Sequence, residues 1–340
     1  MKRFVPLSIL VVAAIAAAIG VVALSTQDPP AHSAETHRAA EIALGSEPIV
    51  PLPLEMQVPA AKAALGEKLF RDPILSGDNT VSCATCHPLE SAGVDHLRVS
   101  KGIKGRLAKR NAPTVFNAAF NFAQFWDARA ATLEDQVSGP INNPDEMGST
   151  WPEVLARLSA NAEYGAAFAQ NYPDGISATN VADAIANYER TLITPNSRFD
   201  RYLRGEHDAL TPIEVRGYAR FKALGCASCH QGVNIGGNLV QRFGVMDPNM
   251  KYMPDAMRGD HGLFDLTGRE EDRYVFKVPS LRNVAVTAPY FHGGGVADLG
   301  QAVAIMAREQ LGRELSDEDR NLVVAFLRSL TGRYAGKSLE

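Results

Sequence analysis

Cysteine is scarce: the 340-residue chain has only four, too few for a disulfide-stapled scaffold, which packs its cysteines densely. An excess of positive charge is missing too. Lys+Arg number 34 against 38 Asp+Glu, a formal net charge of −4, and nucleic acid as a partner is excluded because its phosphates need a basic surface. Long apolar runs are absent after the first, from Phe4 to Leu24. Period-two alternation is rare, so little sheet is expected. What remains is ordinary globular composition, 46% apolar and 21% charged, at a length that suits about two domains.

The one apolar run follows Lys2 and Arg3, the order of an export signal. It is also long enough to span a bilayer, and neither Ala23–Ser25 nor Ala31–Ser33 is a clean small-residue cleavage site. Residues 1–25 are therefore a signal peptide or an N-terminal membrane anchor, and the rest is exported. If uncleaved, residues 4–24 are the only membrane contact. Residues 26–58, rich in Pro, Ala and Ser, read as a linker.

Helical signals begin at Ala60 and stop at Asp72–Pro73. Val181, Ile185, Tyr188 and Leu192 form one apolar stripe. Thr211-Pro212-Ile213-Glu214 is a helix start with cap, N1 proline and N3 glutamate. Ser316 caps a last helix, with acids in its first turn and an end at Gly332. Segments 88–125 and 231–295 read as loops. A weak internal repeat pairs Tyr188, Arg190 and Leu192 with Phe326, Arg328 and Leu330, which implies two equivalent helical domains meeting near Pro195.

All four cysteines fall in two identical patterns, Cys83-Ala84-Thr85-Cys86-His87 and Cys226-Ala227-Ser228-Cys229-His230. Cys-x-x-Cys-His is the attachment pattern of c-type haem, with the histidine as proximal iron ligand. A zinc site would need four ligands per metal, and no other cysteine is available. A thioredoxin-like dithiol would want a βαβ context. Two haems of one kind differ through their far-side ligands. Met306 shares a helical stripe with Leu299 and Val303. A thioether there would raise the potential and close the iron, but the position suits a core methionine equally. Met246, Met250, Met253 and Met257 are rivals on a loop, and His96 and Met147 are the downstream candidates for the first haem.

From about Pro59 to Gly332 the chain resembles the bacterial di-haem cytochrome c peroxidase family, which includes MauG-type enzymes. The resemblance lies in Arg110-Asn111-Ala112-Pro113-Thr114, in Gln124-Phe125-Trp126-Asp127-Ala128-Arg129 and in Gln136 through Gly139-Pro140 to Glu146-Met147. In the second half it lies in Val278-Pro279-Ser280-Leu281-Arg282-Asn283 and Pro289-Tyr290-Phe291-His292.

The resemblance implies a mostly α fold of two cytochrome c-like domains, each wrapped around one covalent haem, with long loops. Residues 59–195 would hold the low-potential peroxidatic haem and 196–333 the high-potential electron-transfer haem, leaving 334–340 as a tail. It implies reduction of hydrogen peroxide in the periplasm, with electrons from a small donor such as a mono-haem cytochrome c or a cupredoxin, and a homodimer. Met306 falls at the second haem's axial methionine, where MauG-type enzymes carry tyrosine. Trp126 matches the tryptophan between the haems, and Glu146 and Gln136 match the polar pair above the peroxidatic iron. Asn111, with the carbonyls of Thr287 and Pro289, matches a calcium site.

One position departs from the pattern. Many members close the resting peroxidatic haem with a histidine where this chain has Ile103, and isoleucine does not ligate iron. The expectation is an iron open to peroxide without prior reduction, with His96 as a substitute ligand only if its loop folds differently. The alternatives are a MauG-like oxidase of a protein or organic substrate, against which Met306 argues, and a plain electron-transfer cytochrome, against which Ile103 and Glu146 argue.

Overall fold

The computed structural model describes residues 47–340; the export segment and the first part of the expected linker lie outside them. Nine helices longer than one turn carry the fold among these residues: α1 (Ala60–Arg71), α2 (Leu133–Asn142), α3 (Trp151–Ala160), α4 (Ala162–Asn171), α5 (Ala178–Thr191), α6 (Arg198–Leu203), α7 (Pro212–Leu224), α8 (Leu299–Leu311) and α9 (Asp317–Arg328). None of the described helices is long and apolar enough to cross a membrane. α1 stops before Pro73 as expected, and Thr211 and Glu214 form the reciprocal box that opens α7. Ser316 accepts from the Asp319 amide to open α9, which ends at Arg328, short of Gly332.

The run α2–α4 was not foreseen. Its start signals are nevertheless present in the chain: Thr132 accepts from the Asp135 amide, and Thr150 forms a box with Glu153. The segments 88–125 and 231–295 are loops with single turns, plus one short antiparallel ladder. That ladder joins β1 (Val240–Arg242) to β2 (Val275–Lys277), with Val240 opposite Lys277.

Each half is built on one helix crossing. α1 crosses α5 at Gly66, where a Cβ would stand 1.9 Å from the Ala184 carbonyl oxygen. α7 crosses α9 at Gly217, where a Cβ would stand 2.1 Å from that of Leu322. Tyr188 closes the first crossing and Phe326 the second, the pair matched in the sequence repeat. One buried cluster draws on residues between Leu65 and Ile185; another draws on Ile49 and residues between Phe199 and Leu330.

A second stretch repeats in unbroken register. Asn117, Gln124, Phe125, Ala130 and Leu133 correspond to Asn283, Tyr290, Phe291, Val296 and Leu299. Both asparagines have φ of 62°, and Phe125 and Phe291 have φ of 67° and 68°. Bridges Gln124–Ala130 and Tyr290–Val296 match, and Leu133 and Leu299 begin α2 and α8. The Asn117 amide donates to the Leu192 carbonyl and the Asn283 amide to that of Leu330. Both side-chain amides donate to Thr194 Oγ1, at 2.8 and 3.0 Å.

Residues 47–58 correct the linker reading. Pro48 accepts from the Gly232 amide, Ile49 is buried in the second cluster, and Leu52 donates its amide to Asp200. Asp200 is also the partner of Arg282, at 2.7 Å, in an ion pair 0% and 1% exposed. Arg282 donates to the carbonyls of Val50 and Val233 as well. Composition alone does not reveal these partners, which lie far along the chain.

Glu189 is a buried acid with one carboxylate oxygen unpartnered. Burial pushes its pKa up to about 8, Arg190 pulling the other way, and its field in turn reaches Cys83. The neutral acid is thus the form that fits the fold. Its stabilising contribution is whole below the ordinary carboxylate range and is lost as pH rises through about 8. Glu189→Gln should therefore raise thermal stability at pH 9 more than at pH 5, by on the order of 2 kcal/mol. Equal gains at both pH values would show that this carboxyl does not ionise in the fold.

Candidate functional site

The two Cys-x-x-Cys-His segments form single helical turns. Ser82 and Thr85 box the turn Cys83–Cys86, and Gly225, at φ of 93°, opens the turn Cys226–Ser228. One turn brings positions i and i+3 to the same side. Burial pushes Cys83 up to about 12 and Cys86 and Cys226 up to about 11. Those are neutral thiols, unlike the depressed pKa of a redox dithiol. No group of three or more His, Cys, Asp or Glu gathers as a metal site among the described residues.

Both histidines are held alike. His87 Nδ1 donates to the Gly93 carbonyl at 3.2 Å and His230 Nδ1 to the Ile235 carbonyl at 3.3 Å. The carbonyls of Pro113 and Pro279, equivalent positions in the repeat, back the two rings. A carbonyl only accepts, so Nδ1 carries the proton and Nε2 keeps its lone pair for iron. Burial lowers both pKa values, that of His230 to about 4, and keeps the rings neutral.

In the second half, His230, Cys226 and Cys229 share a largely apolar cavity of about 460 Å³ with Met306, Phe243, Leu281 and Val303, within the roughly 300–1,000 Å³ usual for cofactors. The buried His292 also lines it, with Nε2 unpartnered. This set fits a covalent haem c: two thiols, an imidazole with a free Nε2, and a thioether in one apolar cavity. Of the rival methionines, Met246 is exposed, whereas Met250, Met253 and Met257 pack with Phe243 and Phe276 in a cluster against which Met306 and Trp126 lie.

In the first half, Met147 belongs to the apolar core. His96 is exposed and its Nδ1 donates to the Ala288 carbonyl at 2.8 Å. Gln136 and Pro140 lie one turn apart on α2, and the repeat register sets Pro140 where α8 has Met306 and Gln136 where α8 has Ala302. The chain then folds back, Met147 donating its amide to the Pro140 carbonyl. This return carries Glu146, whose Oε1 accepts from Asn143 Nδ2 at 2.8 Å. Burial raises the Glu146 pKa, against the pull of Asn143 and Arg129, and its field reaches Cys86. The Ile103 amide donates to the Glu146 carbonyl at 2.8 Å. Its side chain is buried against Gly148, and Gly102 lets the two loops touch, since a Cβ there would stand 2.4 Å from the Glu146 carbonyl oxygen.

Between the halves, Trp126 donates its indole N–H to the Asn111 carbonyl at 2.9 Å and meets His292 edge-on at 6.1 Å. Arg110 grips Asp260 through two bonds, at 2.6 and 2.7 Å, and also bonds Asp127, which Arg129 shares. Sequence reading named none of these ion-pair members as partners, because Asp260 lies within the long second loop. Asn111, Thr287 and Pro289 line the same cavity, but Asn111 Nδ2 is occupied by the carbonyls of Leu97 and Arg98. That leaves three neutral oxygens, against roughly six to eight for calcium.

The family model of di-haem cytochrome c peroxidase matches residues 60–208. A cytochrome c peroxidase of Escherichia coli (strain K12) is 48% identical over 85% of this chain, which spans 62% of that relative. The cytochrome c551 peroxidase of Nitrosomonas europaea is 43% identical over 86% of this chain and 87% of its own. Among solved structures, a MauG-like protein associated with microbial copper homeostasis superposes with a TM-score of 0.72 at 31% identity, covering 84% of this chain and 93% of that one. The chain belongs to the di-haem cytochrome c peroxidase family.

Proposed function

We propose that the protein reduces hydrogen peroxide to water in the periplasm, each peroxide taking up two electrons and two protons. The electrons would come singly from a small redox protein, a mono-haem cytochrome c or a cupredoxin, and two haems hold the pair. When bound in the first half, haem c would supply the iron that polarises the O–O bond. The observation that carries this reading is the contrast between equivalent helix positions: Met306 offers a thioether on α8, whereas Pro140 on α2 has no ligating atom. Ile103 supports it, being buried against Gly148 at the position where many family members place a histidine. Met306 favours the peroxidase branch over the MauG-like one.

Each residue then has a task. Glu146, with Oε1 fixed by Asn143, takes the proton from the near oxygen of peroxide and returns it to the leaving oxygen. Gln136, one turn before Pro140, orients peroxide and stabilises developing charge. Trp126, tied to Asn111, relays electrons between halves. A calcium ion held by Asn111 Oδ1 and the carbonyls of Thr287 and Pro289 would draw the rest of its shell from water. The test is peroxide turnover of the oxidised enzyme as isolated, with and without prior reduction. Equal turnover from the first cycle is expected; a lag, or activity only after reduction, would overturn the open-site reading.

A further inference from the structure

Lys277 ends β2, is 7% exposed, and lines the cavity shared by Cys226, Cys229, His230 and Met306. Among the described residues no carboxylate lies within ion-pair distance of its ammonium, which also makes no hydrogen bond there. The charge it feels is that of Asp127, whose carboxylate is already divided between Arg110 and Arg129. Burial accordingly pulls the lysine pKa down to about 8. Burying a cation without its anion is unfavourable, and such a residue makes sense where a bound group brings the counter-charge. One buried ammonium thus borders a cavity whose other walls are mostly apolar. The haem that Cys226 and Cys229 would carry has two propionate carboxylates at its rim.

We propose that Lys277 binds a propionate of the second haem and thereby raises the reduction potential of that haem. The inference rests on the haem reading of the second half. The physical reason is electrostatic. A fixed ammonium cancels the propionate's negative field, and a reduced iron, carrying one positive charge fewer, is favoured when that field is cancelled. Lys277 is a positioning residue in this account: it touches neither peroxide nor iron.

The test compares Lys277→Met, Lys277→Gln and Lys277→Arg in the full di-haem protein. Covalent haem is counted by pyridine haemochrome assay, and both potentials are followed by spectroelectrochemical titration. The Met and Gln variants should lower the reduction equilibrium constant of the methionine-ligated haem at least tenfold, about 59 mV for one electron, while the Arg variant keeps the wild-type value. Lys277→Gln, close in volume and still polar, decides the matter where Lys277→Met does not load both haems. A neutral variant with two haems and a wild-type potential at the second would overturn the proposal. A wild-type protein with fewer than two covalent haems would overturn the haem reading itself, which is a separate result.

Discussion

Glu146→Gln is expected to leave both haem spectra intact and to cut peroxide turnover by roughly 10²- to 10⁴-fold, the usual worth of a positioned general acid–base. The amide keeps the size of the side chain, and the histidine seats are untouched, since His87 bonds Gly93 and His230 bonds Ile235. What is lost is a group that both takes and gives a proton. The same side chain predicts a pH profile. Burial raises the Glu146 pKa, and the base must be ionised to act, so kcat/KM should fall as pH drops through a value above the ordinary glutamate pKa of about 4.3. That acid limb should vanish in the glutamine variant. Steady-state turnover across pH, with spectra recorded alongside, checks both points; wild-type turnover in Glu146→Gln would remove this carboxylate from the mechanism.

Ile103→His is expected to do the opposite of a loss-of-residue change: it adds a ligand. The residue's backbone is pinned to the Glu146 carbonyl and its side chain is buried beside Gly148, next to the acid proposed to serve peroxide. An imidazole there would compete for the open position on iron. If the bound form leaves the iron free about 1% of the time, turnover of the oxidised enzyme drops about 100-fold. Prior reduction should restore much of it, and the oxidised EPR spectrum should gain a low-spin signal at the expense of high spin. An unchanged spin state would mean that position 103 does not present its side chain to iron.

Much of this molecule was legible in the chain because its signals are local. Proline at the first helical position, the Thr211–Glu214 box and the Ser316 cap act within one turn, and Cys-x-x-Cys-His is a one-turn device. The helices α2–α4 were missed although Thr132 and Thr150 carry the same cap spacing and Trp151, Val154, Leu155 and Leu158 form an apolar stripe; each is only ten residues long, with proline inside α2 and at the start of α3. Other features were illegible for a physical reason. The pairing of Arg282 with Asp200, and the docking of Ile49 and Leu52, depend on residues far apart in sequence. The left-handed backbone at Phe125 and Phe291 contradicts local preference and is held by its surroundings. For the site, residue types were readable but their pairings were not: Glu146 with Asn143 is local, whereas Ile103 reaching Glu146 needs the folded loops.

Thr194 joins more than two loops. The asparagines it binds, Asn117 and Asn283, each follow by one short stretch the prolines whose carbonyls back His87 and His230. The segments that seat both histidines, the candidate iron ligands, are therefore joined through one side chain. Two haem irons held by His87 and His230 would be tied to each other through this joint rather than through the long loops.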